Sequence, residues 1–375
     1  VAIPYGHQEI DDSDIAAVAE ALRGEWLTMG PRVGGFEAAI AAVGGSKQAV
    51  VVSSGTAALH CAYAALGVGP GDVVVTSPLT FVATASTAML QGATVEFADV
   101  EDDTGNIDPA AVEAAMSART RVVAAVDYAG HPADMHALAR ITRKSGALLL
   151  EDAAHSIGSS YRGLPVGSLA DITAFSFFPT KNLTTAEGGA VLTSSEELAE
   201  RARRFRTHGL VRDARQQRYP DEGPWHQEVH ELGLNYRLPD VLCALGVSQM
   251  ARIQSFKAAR SRIFQRYVDG LGAVDGVRLP AWRDDVDPMW HLFPMRVDAS
   301  RRRSVFEFLR AHQVMVQVNY MPVYWHPVFE DLGYRRGSCP VAERYYAEEI
   351  SLPMFASLSV SDQDRVIELV RQAVS

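Results

Sequence analysis

Apolar runs broken by small and charged residues divide this chain into short elements. Seven runs, at 49–53, 73–77, 94–97, 121–127, 147–150, 171–177 and 189–193, are continuous enough to be strands covered on both faces. Between them apolar residues recur at helical spacing. Ile15, Val18, Ala19 and Leu22 follow Asp14 and stop at Gly24, while Met135, Leu138 and Ile141 stop at Gly146. Strands alternating with helices predict parallel pairing. The last run is the exception. Only 11 residues separate Phe177 from Gly189, and a parallel crossover needs about a dozen or more. The pattern predicts a mostly parallel sheet of about seven strands between helices, with 189–193 reversed.

The rest of the pattern predicts a second, smaller layer. A helix at 196–206 carries Arg201, Arg203, Arg204 and Arg206, which read as a solvated face. The polar stretch 211–230, with Pro220, Gly223 and Pro224, reads as a mobile loop or hairpin. A long helix over 241–271 bridges to strands at 291–297 and 314–318 and helices at 301–311, 341–349 and 361–374. The expected division is a large domain at 1–245, opening with the arm Ile3-Pro4-Tyr5-Gly6, and a small α+β domain at 246–375.

Composition narrows the function. A hydrophobic content of 47% supports a sizeable core, and a net charge of −10 argues against nucleic acid and anionic membrane surfaces as partners. Cys61, Cys243 and Cys339 are far apart in sequence, which suggests neither a disulfide framework nor a metal site. The start lacks a basic region and apolar core of the signal-peptide kind, and no apolar run approaches the ~20 residues of a membrane span. These features predict a cytoplasmic protein.

Chemistry concentrates between 147 and 193. The run 147–150 delivers Glu151 and Asp152 at its carboxyl side, and the run 171–177 delivers Lys181 one loop later. Ligands of open parallel sheets bind outside the carboxyl ends of the strands, so Asp152 and Lys181 are expected to face one crevice. Surface salt bridging is the bland reading of such a pair. Pyridoxal phosphate is the specific one: its aldehyde condenses with a lysine amine, and its ring nitrogen stays protonated beside an acid. An ion pair at ~4 Å with an effective dielectric of ~20 is worth about 4 kcal/mol, or roughly three pKa units on that nitrogen. Gly55, Thr56 and Ala57 join a strand to a helix and form either a phosphate cradle or a tight turn. Phe81, just past a strand end, packs in the core or stacks on a flat ring. Ser176 is a candidate phosphate donor. His155, three residues after Asp152, contacts a ring hydroxyl or is structural. His131 reads as a turn histidine. No Gly-x-Gly-x-x-Gly follows a strand, which argues against a nicotinamide enzyme.

Ser54-Gly55-Thr56-Ala57-Ala58-Leu59, Glu151-Asp152-Ala153-Ala154-His155, the Lys181 segment with Glu187-Gly188-Gly189, and Gly233-Leu234-Asn235-Tyr236-Arg237 together resemble the DegT/DnrJ/EryC1/StrS family of sugar aminotransferases. The resemblance covers nearly the whole chain and implies a fold-type I pyridoxal phosphate transferase. Segments 78–85, 128–135 and 319–327 look closest to the pseudaminic-acid-pathway transaminases, which aminate C4 of a UDP-linked 4-keto-6-deoxy-N-acetylhexosamine. Other members aminate dTDP-keto sugars and keto-inositols. Phe178-Pro179-Thr180 stands where that subgroup carries His-Pro-Val. The resemblance implies that Thr56, Ala57 and Ser176 hold the phosphate, Phe81 stacks on the ring, Asp152 binds its nitrogen, His155 sits near its hydroxyl, and Lys181 is catalytic. It places Asn235 at the phosphate of a second subunit, hence a homodimer with shared sites. It lines the sugar-nucleotide channel with Tyr5, Leu27, Thr28, Met29 and Gly30 and with the stretch containing Tyr320, Tyr324 and His326. Glutamate is the implied amino donor. A non-catalytic binding protein on the same fold is the reading from another class, and it is expected to have lost Lys181 or Asp152.

Overall fold

The computed structural model describes residues 2–375. Asp11 caps α1 (Asp12–Arg23) in a reciprocal capping box with Asp14. A second helix, α2 (Pro31–Gly44), follows at once. The hydrophobic pattern does not announce it, because its residues are mostly small and apolar and leave no one-sided stripe. Then come β1 (Gln48–Val52), α3 (Gly55–Ala65), β2 (Val73–Thr76), α4 (Ala83–Leu90), β3 (Thr94–Phe97), α5 (Pro109–Ala115), β4 (Thr120–Val126), α6 (Met135–Ser145) and β5 (Leu148–Asp152). A small hairpin, β6 (Ser160–Tyr161) and β7 (Leu164–Pro165), precedes β8 (Ile172–Ser176), β9 (Gly189–Thr193) and α7 (Glu196–Arg206).

The central sheet has seven strands in the order β1-β9-β8-β5-β4-β2-β3. Strand β9 is antiparallel to both of its neighbours, and the pairs β8/β5, β5/β4, β4/β2 and β2/β3 are parallel. This is the expected sheet, reversed strand included. Its core strands read as unbroken apolar runs because helices cover both faces, and Val50, Val74, Val122, Leu150, Ala174 and Val191 are all buried.

Beyond the sheet, β10 (Leu210–Val211) pairs with β11 (Glu228–Val229), so 211–230 is a hairpin-like excursion. The expected helix over 241–271 is two helices, α8 (Asp240–Met250) and α9 (Ile253–Leu271). They part at Arg252, whose guanidinium turns to Asp11 (2.7 Å) and to Asp14 at the start of α1. The chain ends with β12 (Val286–Asp287), β13 (Phe293–Arg296), α10 (Ala299–Ala311), α11 (Pro327–Asp331), α12 (Pro340–Glu348), β14 (Glu349–Leu352) and α13 (Val360–Val374). The expected strand at 314–318 is reduced to single bridges, Val314 to Ile3 and Gln317 to Ser351. A separate apolar cluster forms here from Phe264, Tyr267, Phe293, Val305, Ile350 and Val370, and it recruits Ile3 from the N-terminal arm. Phe256 of α9 still packs with the large sheet, so the change of core falls inside α9.

The faces of two helices are set by distant partners. Arg206 is buried, pairs with Glu37 at 2.9 Å and donates to the Val51 carbonyl at 2.8 Å, so the arginine-rich α7 staples the edge strand. The stripe on α1 does not face the core: Ile15 and Leu22 are 59% and 58% exposed, whereas Asp14 is fully buried against Gln249 and Arg252. The three cysteines are buried and unpaired. Among the described residues, no helix is long and apolar enough to cross a membrane.

Candidate active site

The carboxyl ends of β1, β2, β4, β5 and β8 border one cavity of about 540 Å3, a size typical of small-molecule sites. Ser54 and Gly55 reach it from β1, Thr80 and Phe81 from β2, Val126 from β4, Asp152 and His155 from β5, and Ser176 and Lys181 from β8. The reversed β9 brings Glu187 to the same rim. That close approach needs glycine at position 189, where a Cβ would lie 2.4 Å from the Ser54 carbonyl oxygen.

Asp152 and Lys181 share this cavity, as the pattern of strand ends predicted. The Asp152 Oδ2 accepts a hydrogen bond from Thr84 Oγ1 at 2.6 Å, and Oδ1 accepts one from the Ala154 amide at 3.2 Å. Burial raises its carboxyl above the usual range, and these bonds and Lys181 oppose the rise. Burial pushes the Lys181 ammonium down to about 8, against the opposing pull of Asp152. An amine held there is nucleophilic near neutral pH. Condensation of pyridoxal phosphate with the cofactor-free protein is therefore expected to quicken as pH rises and to level off above about 8. Stopped-flow absorbance measures it, and a rate indifferent to pH between about 6 and about 10 contradicts the assignment to Lys181.

The start of α3 borders the same cavity. Ser54 caps it by accepting from the Ala57 amide at 3.1 Å. The Gly55 and Thr56 amides find no acceptor among the described residues, so the first turn presents two free donors together with the helix dipole. A Cβ on Gly55 would sit 2.6 Å from Ser176 Cβ. Only glycine therefore lets the turn close against Ser176, whose hydroxyl adds a third donor. Ala57 itself is buried and lies one step behind the cavity, its amide taken by Ser54.

Phe81 is 60% exposed at the cavity wall, so it is a free aromatic face and not a core residue. His155 is buried, with Nε2 3.1 Å from the Tyr320 hydroxyl and Nδ1 without a protein partner. Behind it lies His291, at a ring-centroid distance of 4.3 Å. Burial holds both imidazoles well below their usual range, and the Lys181 charge acts in the same direction, so both are neutral. Tyr320, expected in the sugar-nucleotide channel, lines this same cavity.

Other expected residues lie elsewhere. Tyr5 is tied to Tyr320's neighbour: its hydroxyl accepts from Asn319 Nδ2 at 2.6 Å. The adjoining Gly6 would place a Cβ 3.6 Å from Thr180, at the cavity rim. Leu27, Thr28, Met29 and Gly30 form an exposed loop fastened to the start of α8 through the Leu27 carbonyl and the Asp240 amide (3.0 Å). Asn235 is exposed beside α7 and does not line the cavity. Tyr324 does not belong to a channel in this chain. It is fully buried, donates to Glu343 Oε1 at 2.7 Å and accepts from the Cys339 amide at 3.1 Å. His326 is half-buried at the start of α11, away from the cavity walls. His131 is structural: its Nε2 accepts from the Arg283 amide, and its Nδ1 faces the Pro132 carbonyl at 2.7 Å. Sequence reasoning missed Thr80, Thr84, Phe178, Thr180 and Glu187 as cavity residues. Their one signal is adjacency to the motifs, since each lies within a few positions of Phe81, Lys181 or Gly188.

Comparison with known proteins agrees with this geometry. Residues 8–371 match the DegT/DnrJ/EryC1/StrS aminotransferase family. The chain is 39% identical to the spore coat polysaccharide biosynthesis protein SpsC of Bacillus subtilis, across 99% of this chain and 97% of that protein. It is 36% identical to the UDP-4-amino-4,6-dideoxy-N-acetyl-beta-L-altrosamine transaminase of Campylobacter jejuni, across 96% and 94%. Among solved structures, the PLP form of the putative sugar aminotransferase Spr1654 of Streptococcus pneumoniae superposes with a TM-score of 0.93 at 28% identity, covering 100% of this chain and 99% of that one. The order of motifs, the sheet and the cavity lead to the same place: this chain belongs to the DegT/DnrJ/EryC1/StrS aminotransferase family, and it is an enzyme of that transaminase class.

Proposed function

We propose that this enzyme uses pyridoxal phosphate to move the amino group of glutamate to C4 of a UDP-linked 4-keto-6-deoxy-N-acetylhexosamine. The observation that carries the reading is the meeting of Lys181, Asp152 and a cradle of free donors in one cavity. The residues fit the cofactor. Gly55, Thr56 and Ser176 offer three donors to a phosphate at a helix start. Phe81 offers a stacking face, Asp152 an acid for a ring nitrogen, and His155 an unpartnered Nδ1. The cofactor supplies the electron sink of transamination.

This chain's own residues do the rest. Lys181 would hold the aldehyde of the bound group, and its amine, when free, would accept and return a proton at the reacting carbon. Its lowered pKa suits both tasks, because neither protonation state is remote at neutral pH. The neutral His155 and Tyr320 hold each other across one wall and keep it free of charge. The sugar choice draws its support from the Campylobacter relative's name and from segments 78–85, 128–135 and 319–327. Phe178 and Thr180, where this chain departs from the subgroup, both line the cavity. The test is a panel: purified enzyme with glutamate against UDP- and dTDP-linked 4-keto sugars and keto-inositols, read by mass spectrometry and NMR. Amination of a keto-inositol and of no 4-keto nucleotide sugar overturns the proposal.

A homodimer with shared sites is part of the same reading. Lys181 is the sole cationic side chain lining the cavity among the described residues, and a diphosphate needs more positive charge than one amine. Trp26, Leu27 and Met29, with Ile15, Leu22 and Val247, leave an exposed apolar face on and near α1 and α8. Asn235 stands exposed beside the end of α7, bridged to Thr207. The double variant Leu27→Glu, Met29→Glu is expected to sediment as a monomer and to bind pyridoxal phosphate at least about tenfold more weakly. A monomeric wild-type enzyme with full activity contradicts the shared site.

A further inference from the structure

The cavity wall holds a hydroxyl chain that the reaction so far leaves without a role. Thr80 Oγ1 lies 2.8 Å from Thr84 Oγ1, and Thr84 Oγ1 lies 2.6 Å from Asp152 Oδ2. Both threonines are buried, at 3% and 0% exposure. A hydroxyl has one proton, and an ionised carboxylate only accepts. With Asp152 ionised, the direction of the chain follows: Thr80 donates to Thr84, and Thr84 donates to Asp152. The backbone beneath is fixed independently, because the fully buried Tyr63 of α3 donates to the Thr84 carbonyl at 2.8 Å.

We propose that Thr84, backed by Thr80, is the positioning residue of Asp152, fixing its carboxylate in one orientation and keeping it ionised against burial. The inference rests on the cofactor reading for its purpose but on this chain's own atoms for its geometry. A carboxylate has about four acceptor directions. Thr84 and the Ala154 amide occupy two, on different oxygens, and thereby stop the side chain from turning. Free acceptor capacity remains for a ring N–H. The spacing also has a consequence. Thr80 and Thr84 bracket Phe81, so one short segment delivers the stacking face and the clamp on the acid, and ring position and ring charge are set together. The ionisable groups around Asp152 come from every neighbouring element: Lys181 after β8, His155 after β5, Asp127 after β4, Tyr63 of α3, and Tyr320. Of these Lys181 alone favours the ionised form, which leaves the Thr84 bond as the main compensation for burial.

The test compares Thr84→Val, Thr84→Ser and Thr80→Val, each also in an Asp152→Asn background, with two readouts. The first uses cofactor-free protein. A carboxyl whose pKa rises on folding makes stability fall with pH, from about 3.9 up to the folded value, and level off above it. Thr84→Val should carry that fall about one pH unit or more further up. Thr80→Val should do so less, Thr84→Ser should restore the wild-type profile, and Asp152→Asn should abolish the difference. The second readout is the pH midpoint of the visible absorption band of the cofactor-loaded enzyme, which should move in Thr84→Val and return in Thr84→Ser. A Thr84→Val profile equal to wild type, or the same shift in the Asp152→Asn background, overturns the proposal. Should Thr84→Val not fold, Thr80→Val against Thr84→Ser decides by the same criteria. A protein that never develops a visible band with pyridoxal phosphate defeats the cofactor reading, while the cofactor-free profiles still judge the clamp.

Discussion

Lys181→Ala is expected to lose at least about 1,000-fold in kcat while folding normally. On the proposed function two roles would leave with one amine, the hold on the aldehyde and the moved proton, and a positioned base alone contributes about 100- to 10,000-fold. No other lysine lines the cavity, so nothing stands in. Fold should survive because the side chain makes no hydrogen bond that another residue depends on, and burial already disfavours its charge. Gly55, Thr56 and Ser176 are untouched, so on the proposed function pyridoxal phosphate should still bind, without a covalent link. Borohydride reduction of the wild-type enzyme followed by peptide mapping should place the label on Lys181. A label on another lysine, or an alanine variant within tenfold of wild type, removes Lys181 from the mechanism.

Asp152→Asn should produce the second largest loss. It keeps shape and volume and removes charge. The charge is worth about 4 kcal/mol to a cationic nitrogen at ~4 Å and an effective dielectric of ~20. Carried into the barrier, that is roughly 1,000-fold in turnover. Cofactor retention should change little, because the phosphate donors, the Phe81 face and Lys181 all remain. Single-turnover absorbance with glutamate separates the two, and the expected pattern is normal loading with slow chemistry. Unchanged turnover would take the aspartate out of the mechanism, and loss of cofactor at unchanged turnover per bound cofactor would make it a binding residue only. The neighbouring Glu151 illustrates what one step along a strand does. It faces the other side of the sheet, accepts from Thr173 and the Gly167 amide, and is pushed up by burial to about 7. The same residue class on the opposite face has a structural task.

The chain's linear pattern determined the sheet and the pairing of chemistry with strand ends. Seven apolar runs became the seven strands, and the short connection before 189–193 reversed the last of them. Those outcomes are local: burial on both faces demands continuous apolar residues, and loop length limits which pairing can form. Lys181, Asp152, Gly55, Thr56, Ser176 and Phe81 converge for the same reason, since each lies at or just past a strand end and the sheet aligns those ends.

Tertiary structure alone decided the rest. The spacing of Ile15 and Leu22 predicts a helix correctly, yet periodicity cannot say which side meets the core, and buried Asp14 with its partners took that side. The break between α8 and α9 depends on Arg252 finding Asp11 and Asp14, more than 200 residues away in sequence. Tyr324 and Tyr320 share one aromatic loop, but Glu343 and Cys339 claim the first, and His155 holds the second at the cavity. Thr84 looks like any helix-start threonine until β5 brings Asp152 within 2.6 Å of it. In each case the deciding partner lies outside the span of the local pattern, 15 residues away at the nearest, and a pattern read over neighbouring residues carries no information about it.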